Sequence, residues 1–305
     1  MTNTSDISEQ VILITGASAG IGAGLAETLA TQFKGMRLVL AARNREKLEK
    51  VANNCRQTGA EVLILPTDMA DTAQVRALAT KAIEHFGYVS AVVNNAGYGQ
   101  MGPIELIPPE AAKHQFAVNF HGPLTLIQAL IPMMRDRGGG RIINISSLGG
   151  RMAFPVVGMY SCSKFALEAL SDILRMELKA FNIKVSVVIP GPVKTEFFDA
   201  VNQKVERDIT SPQKSLYRIA FETIKGLEEQ TEILGWSSQR VAKVIIRALV
   251  AQNPLPRYMA ATGGEILIFL MTKILPTWLT DFIWKRFYKI DRLEKEWKQS
   301  KILTN

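Results

Sequence analysis

The feature that most limits the fold of this chain is a regular alternation. Short apolar runs at 11–15, 37–42, 61–66, 89–94, 141–146 and 184–189 are separated by helix-length segments, among them 22–33, 45–58, 72–86 and 161–180. The runs are rich in Val, Ile and Leu, and most are apolar on both faces of an extended chain. Strands of that kind must be covered on both sides, and strands joined through helices run parallel. The expected fold is α/β, a doubly wound parallel sheet with helices on both faces. The alternation stops near Gly191. Residues 192–235 read as irregular, more polar and too long for a plain connection, which suggests a substrate lid. A helix over 237–251 and a short strand at 257–260 follow, so a single domain is expected over 8–260. Residues 261–305 have a different character and read as a C-terminal helical extension.

A chain of 305 residues, 47% hydrophobic and 21% charged, can bury one large core. Cys55 and Cys162 lie far apart with no His or Cys cluster beside them. Neither a metal site nor a disulfide framework is expected, and a reducing, cytoplasmic setting fits. The start, MTNTSDISEQ, has no basic segment leading into an apolar one, so no secretory signal is expected. The net charge of +8 favours anionic partners such as phosphorylated cofactors or acidic lipid surfaces. The chain holds no basic and aromatic module of a nucleic-acid reader, so nucleic acid is not an expected partner.

The stretch TGASAGIG (15–22) joins the first strand to the first helix. A helix N-terminus offers free N–H groups, and glycine lets a pyrophosphate approach them without a Cβ in the way. Gly16, Gly20 and Gly22 therefore suit a Rossmann-like dinucleotide loop, with close helix–strand packing as the alternative use. The second strand ends at Ala42–Arg43. An acidic residue near that place would bind adenosine ribose hydroxyls. Arg43 stands there instead, and it can pair with a 2′-phosphate. NADP(H) is thus expected over NAD(H). Asp68, after the third strand, could accept from the adenine amino group, while Asp71 is the better cap for the next helix.

YSCSK puts Tyr160 and Lys164 four residues apart, on one face of a helix. A free tyrosine has a pKa near ~10, and an ammonium one turn away would lower it. The pair suits general acid/base work. Ser147, in NISS, ends the fifth strand at the sheet edge where ligands bind, with Ser146 as its competitor for a substrate oxygen. NNAG (94–97) ends the fourth strand at the same edge. Asn119, in an otherwise apolar helix, suits a kink, a backbone hydrogen bond or an ordered water linked to Lys164.

Together, TGASAGIG, NNAG, Asn119, Ser147, YSCSK and PGPVKT (190–195) resemble the short-chain dehydrogenase/reductase family, in its compact single-domain form. The resemblance implies that Tyr160 is the acid/base, that Lys164 binds nicotinamide ribose and lowers the tyrosine pKa, that Ser147 polarises the carbonyl, and that Asn119 anchors a water in the proton relay. It implies that Gly16, Ser18, Gly20, Ile21 and Gly22 cradle the cofactor, that Asn95, Ala96 and Gly97 pack along its adenosine side, and that Pro190, Gly191, Val193 and Thr195 wrap the nicotinamide amide. A second basic residue often found in the glycine loop of NADPH-dependent members is Ala19 here, so Arg43 carries cofactor choice, with Ser18 and Asn44 adding hydrogen bonds. The implied activity is carbonyl–alcohol interconversion. The alternatives are a cofactor-binding regulatory or scaffold protein, whose mark would be a damaged tetrad, and an epimerase or dehydratase, whose larger substrate domain this chain lacks. Members commonly form dimers or tetramers through the helices around Asn119 and Tyr160.

Leu148, Met152, Phe154, Val156 and Met159, with Phe197 and Phe198 of the lid, are the expected pocket lining and suit a lipophilic substrate. Gly149 and Gly150 are expected to give the loop freedom. Residues 266–284 hold 13 apolar residues of 19, yet Lys273, Pro276 and Asp281 argue against a spanning helix. Two helices split at Pro276 are expected, with Leu267, Met271, Ile274, Leu275, Trp278 and Phe282 on one face. Lys285, Arg286 and Lys289 follow. Residues 265–289 thus suit peripheral membrane contact, a hood over the pocket, or packing on the domain or a second subunit.

Overall fold

The computed structural model describes residues 7–303. Its first half alternates β1 (Val11–Thr15), α1 (Gly20–Gln32), β2 (Arg37–Ala42), α2 (Arg45–Gln57), β3 (Glu61–Pro66), α3 (Thr72–Phe86) and β4 (Ala91–Asn94). Then come α4 (Pro109–Phe116), α5 (Gly122–Asp136), β5 (Gly140–Ile145), α6 (Gly158–Glu177) and β6 (Ile183–Pro190). The chain closes with α7 (Phe197–Asp208), α8 (Arg218–Leu234), α9 (Ser238–Val250), β7 (Arg257–Ala260), α10 (Gly264–Phe269), α11 (Thr277–Phe287) and α12 (Ile290–Leu303). The seven strands form one parallel sheet in the order β3-β2-β1-β4-β5-β6-β7. Strand order reverses between β1 and β4, and the crevice at such a reversal is where open α/β sheets bind ligands.

Each face of the sheet carries its own core. Ile12 and Ile14 of β1 point to one side, with Leu25 and Leu29 of α1, Leu48 of α2 and Ile245 of α9. Val11 and Leu13 point to the other, with Leu78 of α3, Leu126 and Leu130 of α5 and Leu174 of α6. The period-two alternation along a strand apolar throughout is what builds both. The fourth strand starts two residues later than its apolar run, because Ser90 bonds outward: its Oγ accepts from Val11 N at 2.8 Å.

Residues 192–235 differ from the sequence expectation. They are not irregular, since α7 and α8 occupy most of the segment. These helices are strongly amphipathic. Val201, Val205, Phe221 and Ile224 turn inward to a third core with Met101, Val157 and Tyr160, and charged residues cover the outer faces. The dominance of polar residues hid the helical period. The segment remains a cover over the end of the sheet, now a structured one.

The C-terminal chain breaks at Pro276, whose backbone is extended, as the sequence suggested. Before it, α10 runs into a π-helical stretch, Leu270–Ile274. After it, α11 brings Trp284 and Tyr288 onto the third core. No helix among the described residues is long and apolar enough to cross a membrane.

Candidate active site

The site grows from the carboxyl edges of β1, β4, β5 and β6. At β1, Gly16 and Gly20 take positive φ, 66° and 55°. A Cβ on Gly22 would stand 2.4 Å from the Gly16 carbonyl oxygen and 2.6 Å from Asn95 Nδ2. Gly22 therefore serves close packing of α1 on the loop, while Gly16 and Gly20 supply its left-handed backbone. Thr15 and Asn95 hold that loop down. Thr15 Oγ1 accepts from the N–H groups of Asn95 (3.1 Å) and Ala96 (3.0 Å), while Asn95 Nδ2 donates to the Thr15 carbonyl at 2.9 Å. The Asn95 side chain is thus committed to the loop rather than to adenosine. What stays open is the start of α1. Its N-cap is Ala19, which offers no capping side chain, and its first turn holds no acid. Those N–H groups and the dipole fit a phosphate group. Thr195, from the chain after β6, closes on the same place: a Cβ on Gly20 would stand 3.1 Å from its Cγ2.

Adenosine-side expectations divide. Asn44 Oδ1 accepts from Lys47 N at 2.8 Å and caps α2, a use that leaves its Nδ2 donors uncommitted. Asp68 Oδ1 accepts from Ala70 N at 2.9 Å, and Asp71 caps α3 as expected. Arg43 is exposed and holds no hydrogen bond or ion pair among the described residues. Sequence reasoning missed Lys204 of α7. Its ammonium lies 4.7 Å from the centre of the Tyr98 ring. Burial first, then the Arg207 and Arg43 charges, lower its pKa, with Asp208 and Asp68 acting against the shift. With α7 read as a helix, the spacing Phe197, Val201, Lys204, Val205 would have placed it on the inner side.

Helix α6 carries Tyr160 and Lys164 inward, 9% and 5% exposed. Lys164 Nζ donates to the Ile145 carbonyl at 2.7 Å and lies 5.9 Å from the centre of the Tyr160 ring. Burial lowers the Lys164 pKa from its ordinary range to about 8, with Glu168 acting against the shift. Burial raises that of Tyr160, and the Ser147 hydroxyl opposes the rise. Desolvation is the leading cause for both groups, and for Tyr160 its direction is opposite to the lysine effect expected from the sequence. Asn119 sits in a turn of π-helix, Ala117–His121, which is the expected kink. Its Nδ2 donates to Tyr98 O (3.0 Å) and Ser163 Oγ (3.1 Å), and its Oδ1 accepts from Tyr98 N (3.2 Å). Across Gly97, a Cβ would stand 3.2 Å from Asn119 Oδ1 and 3.5 Å from Lys164 Nζ, so these two groups and the Gly97 backbone converge.

Ser147 caps a short 3-10 turn, Leu148–Gly150, by accepting from Gly149 N at 3.1 Å. Ser146, its competitor, is buried under that turn and its Oγ has no hydrogen-bond partner. Gly149 and Gly150 do not loosen the loop. A Cβ on Gly150 would stand 2.5 Å from Ser146 Oγ and 3.1 Å from Lys164 Cβ, so these glycines let the loop pack on α6. Val156 takes a φ of 66°, a strained value for a β-branched residue four positions before Tyr160.

Pro190 ends β6, and just beyond it Gly191 N donates to Ala260 O at 3.2 Å. Val193 pairs with Trp236 in a single parallel bridge. Of the expected lining, Met152 is buried, Leu148 is half-buried, and Phe197 packs on Tyr160 with ring centres 5.6 Å apart. Phe154 meets Trp284 edge-on at 4.7 Å and Tyr288 at 6.2 Å. Trp284 and Tyr288 thus bring the C-terminal helices onto Phe154, and the apolar face read from sequence included neither. No group of three metal-binding side chains occurs among the described residues.

A family model described as short chain dehydrogenase matches residues 10–206. The chain belongs to the short-chain dehydrogenase/reductase family. It is an oxidoreductase of that family, whose members use nicotinamide cofactors and act on CH–OH groups. The chain is 31% identical to 3-ketodihydrosphingosine reductase of Bacteroides thetaiotaomicron over 281 residues, 92% of this chain and 98% of that protein. A short chain dehydrogenase/reductase from Burkholderia phymatum, solved with NAD, superposes with a TM-score of 0.78 at 28% identity, over 87% of this chain and 94% of that one. A metagenomic short-chain oxidoreductase solved with NADP superposes with a TM-score of 0.67 at 28% identity, over 84% and 99%.

Proposed function

We propose that this short-chain dehydrogenase/reductase is NADP(H)-dependent and interconverts a ketone or aldehyde and an alcohol on a lipophilic small molecule. The observation that carries the reading is the meeting of Ser147, Tyr160, Lys164 and Asn119 at one sheet edge, beside the open start of α1. A bound nicotinamide supplies or accepts the hydride. Tyr160 moves the proton at the substrate oxygen, and the Ser147 hydroxyl holds that oxygen. Lys164 in its ammonium form stabilises the phenolate, and Asn119 fixes the first turn of α6 through Ser163. Phe197 covers the Tyr160 ring and keeps water from it.

Arg43 supports NADP(H), since an unpaired guanidinium stands where an acid would hold ribose hydroxyls, and Lys204 adds a second cation near it. Met152, Phe154, Phe197 and Trp284 support a lipophilic substrate. The Bacteroides relative spans nearly the whole of both chains, so long-chain ketones, 3-ketodihydrosphingosine included, are the first class to assay. The test is kcat/KM with NADPH and with NADH over hydrophobic aldehydes and ketones. NADPH is expected to win by about 100-fold, and Arg43→Ala to cut its kcat/KM by about 10- to 100-fold, the worth of a lost charge-assisted phosphate contact. A preference for NADH would overturn the cofactor assignment.

A further inference from the structure

The α10–α11 segment has two faces with different fates. The inner face is fixed to the body of the protein. Ile268 is buried, Trp284 packs edge-on against Phe154, and Tyr288 is buried in the third core. The outer face is apolar and open. Trp278 is 70% exposed, Ile266 66% and Phe282 62%, and Phe269, Leu270 and Ile274 are exposed with them. Because the inner face anchors these helices, the outer residues are held in place, in fixed relation to the site. Soluble monomers rarely leave so many large apolar side chains together in water.

Charge names the occupant. Between 264 and 289 the chain carries Lys273, Lys285, Arg286 and Lys289 against Glu265 and Asp281. Arg286 pairs with Asp291 at 3.2 Å, while Lys273 and Lys289 make no ion pair among the described residues. A tryptophan beside lysines, on a helix too short to span, is the make-up of a segment lying in a bilayer interface. A second copy is a poorer occupant, because a two-fold contact would bring this cation-rich face against itself.

We propose that the outer face of α10 and α11 docks on an anionic phospholipid bilayer, with Trp278, Ile274 and Phe282 inserted and Lys273 and Lys285 at the headgroups. The docked membrane lies against the same helix whose inner face roofs the site through Trp284. A lipophilic substrate dissolved in the bilayer therefore has a short route to that roof. The docking does not depend on the cofactor or on the reaction.

Co-sedimentation of the full chain with vesicles tests this. Binding to phosphatidylglycerol vesicles is expected, at least tenfold weaker binding to phosphatidylcholine vesicles, and loss of the difference in high salt. Trp278→Ser with Phe282→Ser should reduce binding at least tenfold without changing the thermal melt or turnover of a short water-soluble ketone. Lys273→Gln with Lys285→Gln leaves the apolar face intact and should reduce the phosphatidylglycerol preference about tenfold. Equal binding to both vesicle types would overturn the anionic assignment. Absence of vesicle binding would overturn the proposal, and so would a wild-type dimer that the Trp278/Phe282 variant turns into monomer while vesicle binding stays unchanged.

Discussion

The sheet and its helices, up to β6, differ from the roof built by α7, α8 and the C-terminal helices in how their residues are held. In the first region, side-chain polar groups are paired with backbone and with one another across the strands. Thr15 and Asn95 clamp the glycine loop, and a chain of bonds from Asn94 through Asn144 to Ser171 ties β4 and β5 to α6 at 2.8 Å a step. In the second, contact is mostly aromatic and aliphatic: Phe197 on Tyr160, Phe154 on Trp284, Tyr288 under both helices. Directional bonds fix geometry to a few tenths of an ångström, whereas apolar packing fixes volume and tolerates exchange. Chemistry that needs a proton in one place belongs to the first region. On the proposed function, substrate choice belongs to the second.

That division predicts unequal mutational effects. The largest is at Tyr160. If the phenol moves the proton as proposed, Tyr160→Phe should lower kcat by about a thousandfold while NADPH still binds in a fluorescence titration, since the ring remains. Retained turnover would remove the chemistry from α6.

Next comes Lys164, through stability rather than rate. Burial lowers its pKa from 10.5 to about 8, so the folded protein gives up this proton more readily than the unfolded chain does. Between these values the unfolded chain binds more protons, and stability rises with pH; below about 8 the cost of the buried charge is complete. The shift corresponds to about 3 kcal/mol. Urea melts of cofactor-free protein from pH 7.5 to 10 should show wild type gaining on Lys164→Met across that window. Burial of Tyr160 and Cys55 acts in the opposite sense at high pH, but both proteins share it, so the difference isolates the lysine. A flat difference would mean that the ammonium is solvated.

The smallest effect is in the roof. Trp284→Ala removes an edge-on contact to Phe154 and should raise KM for a long-chain ketone about tenfold while leaving kcat within about threefold, by the worth of a partly buried aromatic ring. A fall in kcat with KM unchanged would place the roof in the chemistry and break the comparison.

Much of the first region was legible from residues alone. Apolar runs with helix-length spacing gave β1, β2, β3 and β7 at their observed bounds, and the spacing of Tyr160 and Lys164 put them on one inward face. Those signals are local, a period and a helical turn. The glycines were ambiguous because packing and phosphate access ask for the same missing Cβ, and only neighbours at 2.4 Å separate the two uses at Gly22. Lys204 was hidden by the polar look of α7. Its role needs the fold to bring residue 204 over the loop after β4.

By itself, then, the sequence determined the parallel α/β sheet, the order of the motifs along it and the residues that meet at its edge, since each follows from periodicity or from a turn of helix. Only the tertiary structure decided the state of those residues and the direction of the last helices. Desolvation, which depends on everything packed around a group, shifted the pKa values of Tyr160 and Lys164 toward their neutral forms. The amphipathic period of the C-terminal segment showed an apolar stripe, but a stripe carries no record of which side the core is on. Packing of Trp284 and Tyr288 against Phe154 turned that stripe outward, into solvent.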